Sequence, residues 1–216
     1  MDGIPRIETA RLLLRPFTAA DLDDYVQHIF ADADVMRYLP ERDLTPPERA
    51  ERTIAAFNNH WSQRGYGVWA VTDKITGQFI GHCGLNFVPE PGEVEVLYAL
   101  RNDRWGQGFA TEAAQASVRF GFEHADLARL IALAVPENIA SRRVIEHLGF
   151  EHEKDVHYFG LDLVCCVLQC DQFHRTASLF LVQQTYHLPY AMDIRVPPSA
   201  PTLSGQGVTG TSKNSD

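Results

Sequence analysis

The stretch EVEVLYALRNDRWGQGFATEA, residues 93–113, constrains the fold more than any other: an alternating run stops at two glycines, one residue apart, and restarts as an alanine-rich run. Over Glu93–Leu100 the period is that of a strand, with Val94, Val96 and Tyr98 on one face and Glu95, Leu97 and Ala99 on the other. From Thr111 to His124 the spacing is helical, and Ala113, Ala114, Val118 and Gly121 make a small-residue stripe suited to close packing on a sheet. A strand, a glycine loop and a helix start in that order leave free backbone N–H groups at the positive end of a helix dipole, which is an anion site. The dinucleotide pattern GxGxxG and the phosphate-loop ending GK[ST] are both absent, since Gly106 and Gly108 are followed by Ala110 and Thr111. On their own, the glycines fit a structural turn equally well.

The rest of the chain supplies a sheet and its helices. Glu8–Phe17 reads as a first strand, and Thr18 and Asp21 stand in capping-box spacing before Leu22, Val26 and Ile29, one face of a helix. Pro46 or Pro47 to Trp61 reads as a second helix, closed by Gly65 and Gly67. Gly67–Thr72 and Gln78–Phe87 are strands joined by a polar turn, and Leu130–Val135 is an apolar strand. Asn138 caps a helix through Leu148, which Gly149 stops, and Phe150–Glu153 and Asp162–Leu168 are the last strands. The fold class is α/β (α+β): a central mixed, mostly antiparallel sheet of about seven strands flanked by helices.

Composition narrows the setting. With 216 residues, 45% of them hydrophobic, the chain can bury a sizeable core. Nineteen Lys and Arg against 28 Asp and Glu give a net charge of −9, which argues against nucleic acid as a partner. No apolar run approaches a membrane span and the N-terminus lacks a leader's apolar core, so a cytoplasmic protein is expected, with no membrane partner. The four cysteines show no CxxC spacing and read as reduced core residues, with no metal site. Residues 7–173 read as the one domain and 174–195 as an extension of uncertain role, in which Leu179–Val182 and Tyr186–Tyr190 are apolar enough to dock on something. Residues 196–216, 13 of whose 21 are Pro, Ser, Thr or Gly, read as a disordered tail.

In its order of elements, and in WGQGFATEA, NIAS and EHLGF, the chain resembles the GCN5-related N-acetyltransferase (GNAT) family, and within it the ribosomal-protein N-acetyltransferase-like branch. The resemblance spans about Ile7 to Phe173. It implies a GNAT fold splayed between the fourth and fifth strands and acetyl-coenzyme A as co-substrate. The amides of Gly106, Gln107, Gly108, Phe109, Ala110 and Thr111 would cradle the pyrophosphate beside Trp105, and pantetheine would run along Leu97, Tyr98 and Ala99 to Leu100 as an added strand. An amide near Leu97 or Tyr98 would polarise the thioester carbonyl, and Asn138 would contact the cofactor.

By the same resemblance Glu95 is the candidate general base, with Glu93 a weaker one; His157 is another base to consider from its own place, before the turn Tyr158-Phe159-Gly160 that leads into the final strand. Many family members protonate the departing thiolate with a tyrosine seven residues after the asparagine; here that position is Ile145, and Ser141, in the NxxS pattern of the branch, is the candidate to hydrogen-bond the sulfur instead. Each has a plainer reading: a solvated strand carboxylate for Glu95, a hairpin histidine for His157, a first-turn serine for Ser141 and a helix cap for Asn138. The implied activity is acetyl-CoA-dependent transfer to a primary amine, a protein N-terminus or a small molecule, by direct attack without an acetyl-enzyme. The alternatives are a non-catalytic acyl-CoA-binding sensor, or a scaffold whose working part is 179–190. The resemblance leaves a homodimer, by exchange of the final strand, open.

Overall fold

The computed structural model describes residues 3–174 and 178–183. One nine-stranded sheet organises them, in the order β7-β8-β6-β5-β4-β3-β2-β1-β9. Its strands are β1 (Arg6–Glu8), β2 (Leu12–Arg15), β3 (Val68–Asp73), β4 (Phe79–Val88), β5 (Glu93–Leu100), β6 (Arg129–Ala134), β7 (Glu151–Tyr158), β8 (Leu161–Gln169) and β9 (Leu181–Gln183). Every pairing is antiparallel except β5 with β6, which is parallel. The helices are α1 (Leu22–Tyr25, continued by a π-turn over Val26–Phe30), α2 (Ala33–Met36), α3 (Pro46–Arg64), α4 (Phe109–Glu123) and α5 (Ile139–His147).

Two cores lie on the two faces. On one, Leu85, Val96 and Trp69 pack against Ala113, Ala114, Val118 and Phe120 of α4 and Ile145 of α5. On the other, Ala70, Phe79 and Ala99 pack under Tyr25, Ile29, Phe30 and Ala50. The small stripe of α4 does what its spacing implied: a Cβ on Gly121 would stand 3.0 Å from a Leu85 methyl. Gly84 is tighter still, because a Cβ there would meet the backbone of Gly67 and Val68 at 2.3 and 2.4 Å. Backbone cannot rotate aside as a side chain can, so Gly84→Ala should cost about 3 kcal/mol or more. Thermal unfolding measures this, and an unchanged midpoint would refute the close approach.

The sheet has nine strands rather than about seven, for two reasons. The expected strand Glu8–Phe17 is a hairpin, with Ile7 opposite Leu14. Its turn is held from far along the chain: the Glu112 carboxylate accepts from the Thr9 hydroxyl at 2.7 Å and from the Arg11 amide at 2.8 Å. The apolar stretch from Leu179 does dock, as β9 on the open edge of β1. The last hairpin is longer than expected because EHEKDVHY in β7 is an exposed edge strand with no apolar alternation to reveal it. Cys83 and Cys165 are core residues as expected, whereas Cys170 is exposed in the turn after β8. Tyr186–Tyr190 and the tail 196–216 lie outside the described residues. Among the described residues no helix is long and apolar enough to cross a membrane.

Candidate active site

The site begins where the sheet splits. β5 and β6 share a single register pair, Glu95 opposite Ile131. Beside it Arg129 bonds Glu93 at 3.2 Å and Glu153 at 2.9 Å, tying β5, β6 and β7 together at one end. Beyond Glu95 the strands part, and the edge of β5 from Val96 to Leu100 has no strand partner on that side among the described residues. Glu93 therefore serves as a clamp, with its carboxylate committed to Arg129.

The glycine loop follows β5. Gly106 and Gly108 have φ of 70° and 78°, conformations that exclude most other residues, and Gly108 is the N-cap of α4 without a side-chain cap. Among the described residues the amides from Gly106 through Thr111 have no acceptor, so a run of N–H groups points at solvent from a helix N-terminus. A side chain at Gly106 would meet nothing within 4 Å. Free amides at a helix N-terminus are complementary to an anion. Trp105 lies half exposed over the loop and donates its indole N–H to the Leu100 carbonyl at 2.7 Å.

Sequence reasoning missed the brace beneath the loop. Arg11 donates to the Gln107 carbonyl at 2.8 Å and to Glu112 at 2.6 Å, and lies over the Phe109 ring. Burial tends to raise the Glu112 pKa, but hydrogen bonds from Thr9 and Arg11 hold it below the usual carboxylate value. No local pattern marks Arg11; Glu112 lay inside the WGQGFATEA segment, its partners a hundred residues away.

On β5 the alternation holds. Val96 and Tyr98 join the α4 core, while Ala99, and with it Leu97 and Glu95, belongs to the opposite face. Glu95 is half-buried, and desolvation pushes its carboxyl up to about 8. At pH 7 roughly a tenth of the molecules would carry it ionised, a basicity suited to accepting a proton from an ammonium group. On the same face, His82 lies opposite Ala99 and shares a 3.1 Å hydrogen bond with Tyr25; burial takes its pKa down to about 3, so it is neutral.

Across the split, Asn138 caps α5 by accepting from the Ser141 amide at 3.0 Å. The Tyr98 hydroxyl, whose side chain the sequence reading passed over, donates to the Ser141 carbonyl at 3.2 Å and lies 2.9 Å from its hydroxyl. Desolvation raises the Tyr98 pKa further, so the phenol stays protonated. Ile145, at the position of the missing tyrosine, is buried in the core. Tyr98 and Ser141 thus meet on the α4 side of the sheet, with Glu95 on the other. His157 does not join them. It is exposed, pairs with Asp162 at 2.7 Å, and by register shares the face opposite Leu163, Cys165 and Glu95.

Comparison with known proteins bears on the family and the fold. A family model described as an acetyltransferase (GNAT) domain matches residues 11–151. YkkB of Bacillus subtilis (strain 168), named only as an uncharacterized protein, is 33% identical over 162 residues, 72% of this chain and 91% of that one. FsC-acetyl coenzyme A-N(2)-transacetylase of Aspergillus fumigatus is 31% identical over 160 residues, 68% of this chain and 66% of that one. Among solved structures, an acetyltransferase from Agrobacterium tumefaciens str. C58 superposes with a TM-score of 0.68 at 26% identity, covering 78% of this chain and 96% of its own.

Proposed function

The chain is an acetyltransferase of the GNAT family, and from that premise we propose that it transfers an acetyl group from acetyl-coenzyme A to a primary amine by direct attack, with both substrates bound. The observation that carries this reading is the run of free amides from Gly106 to Thr111 beside the unpaired edge of β5. The amides would hold the pyrophosphate, and the backbone of Leu97, Tyr98, Ala99 and Leu100 the pantetheine, as an added strand. Bound acetyl-coenzyme A supplies an activated acyl group with a thiolate leaving group.

The chain's own residues do the rest. Glu95 takes the proton that the ammonium group must lose before it can attack. A β5 amide near Leu97 or Tyr98 receives the charge that develops on the carbonyl oxygen. Ser141, its hydroxyl placed by Tyr98, hydrogen-bonds the departing sulfur, which leaves as the thiolate. Asn138 acts through Ser141 by setting the first turn of α5. The name of the fungal relative, an acetyl coenzyme A N-transacetylase, supports nitrogen as the acceptor atom. Thiol release from acetyl-CoA in the presence of a panel of primary amines tests the activity; no release with any amine from a folded protein would contradict it.

Tyr98→Phe isolates the contact to the leaving sulfur. Loss of the two part-buried contacts of the Tyr98 hydroxyl with Ser141 should lower kcat by about tenfold and leave both KM values in place. Ser141→Ala should cost about a hundredfold, and adding Tyr98→Phe to it should change nothing more, because the phenol acts through the serine. Additive losses in that double-mutant cycle would refute the coupling.

A further inference from the structure

On the Glu95 face of the sheet, away from the glycine loop, a cavity of about 240 Å³ opens among Phe30, Met36, Leu44 and Pro46, with Glu41, Arg42 and Arg49 on its wall. It holds one side chain or small group rather than a whole ligand. Its chemistry is unusual. Arg49 is nine-tenths buried, with its guanidinium 4.9 Å over the Phe30 ring, and one nitrogen, Nη2, donates to the Pro40 carbonyl at 2.7 Å. Among the described residues, its other donors have no acceptor and neither Arg49 nor Arg42 pairs with a carboxylate, although Glu41 lines the same cavity. Burial and the neighbouring Arg42 both press against the Arg49 charge. Two arginines without a carboxylate partner, on the wall of one small hollow, are complementary to an anion.

We propose that this cavity is an acceptor subsite, where Arg42 and Arg49 bind an anionic group of the amine substrate remote from the reacting nitrogen. The inference rests on the proposed function, which puts the amine at Glu95. Phe30 packs in one cluster with Ala99, and an acceptor laid along β5 from Glu95 toward that cluster runs four residues to Ala99, roughly 13 Å. A free amino acid, with its carboxylate one carbon from the amine, cannot span that. An extended peptide can: three residue steps of about 3.3 Å each, plus a glutamate side chain, bring a carboxylate at the fourth position into reach. The substrate class is therefore an extended chain with a free N-terminal amine and an acidic group three or four residues along.

The test compares Ala-Ala-Ala-Glu-Ala amide with its Gln counterpart on the full chain. Acetyl transfer is measured by thiol release, and binding to the CoA-loaded protein by titration calorimetry. The Glu peptide should be favoured by about tenfold in kcat/KM and in affinity, and Arg42→Ala, on an exposed side chain, should reduce the preference to near unity while acetyl-CoA affinity stays as it was. Arg49→Gln, checked for folding by its thermal midpoint, should do the same. Preferential binding of the Glu peptide without transfer would support the subsite and sink the catalytic reading. Equal transfer to both peptides would sink the subsite and leave the catalytic reading standing, and so would transfer to other amines with binding of neither peptide at millimolar concentration.

Discussion

Glu95→Gln should lower kcat/KM by about 10²- to 10³-fold while acetyl-CoA affinity stays unchanged, because it removes the base and leaves the backbone sites alone. The pH profile makes this specific. The Glu95 pKa is raised from 4.5 to about 8, so the competent carboxylate accumulates as pH rises and the wild-type rate should climb to a plateau above that value. The substituted protein should lose this limb even when the acceptor is an amine of lower pKa, whose own titration falls elsewhere. Stability runs the other way. Between about 4.5 and 8 the native carboxyl keeps a proton that the unfolded chain releases, so its contribution to stability falls as pH rises through that window. Near pH 9 Glu95→Gln should therefore unfold at a higher temperature than the wild type while being the poorer catalyst. A less stable variant there, or an unaltered pH limb, would remove Glu95 from the mechanism.

How much of this was legible in the sequence depends on the range of the interaction. Glu93–Leu100 alternates cleanly and Pro46 opens a helix, so β5 matched to the residue and α3 was placed to within three residues at its end. Asn138 and the two glycines are local backbone signals, and they sit where their chemistry implied. What stayed hidden was non-local or polar. The break in Glu8–Phe17 is made by Glu112, a hundred residues on, and leaves no trace in the periodicity of ETARLLLRPF. Strand β7 lies at an exposed edge, where charged residues replace the apolar alternation that marks a half-buried strand. Glu93 and Glu95 look alike in the sequence; only the register shows one held by Arg129 and the other desolvated. His157 is a residue type able to act as a base, but the register puts it on the face away from Glu95.

The second large effect is expected at Gly108. Gly108→Glu forces an L side chain into φ 78° at the N-cap of α4 and brings a carboxylate within reach of Arg11, whose Nη2 is 3.4 Å from the site of a Cβ. The new carboxylate would occupy the cradle and repel pyrophosphate, while the strained backbone costs about 1–2 kcal/mol. Wild-type protein with acetyl-CoA at about 100 times its dissociation constant should gain roughly 2.7 kcal/mol of stability, visible as a rise of a few degrees in Tm. The variant should fold, unfold at a somewhat lower temperature, and show no rise with ligand. A full ligand-induced rise in the variant would mean that the pyrophosphate is held elsewhere.

The central claim is that the free amides after β5 and the open edge of that strand bind acetyl-coenzyme A. Isothermal titration of acetyl-CoA into the full-length protein tests it most directly. Saturable binding at one site per chain is the expected result. A folded protein that gives no binding would contradict the claim, and the acetyl-transfer reading with it.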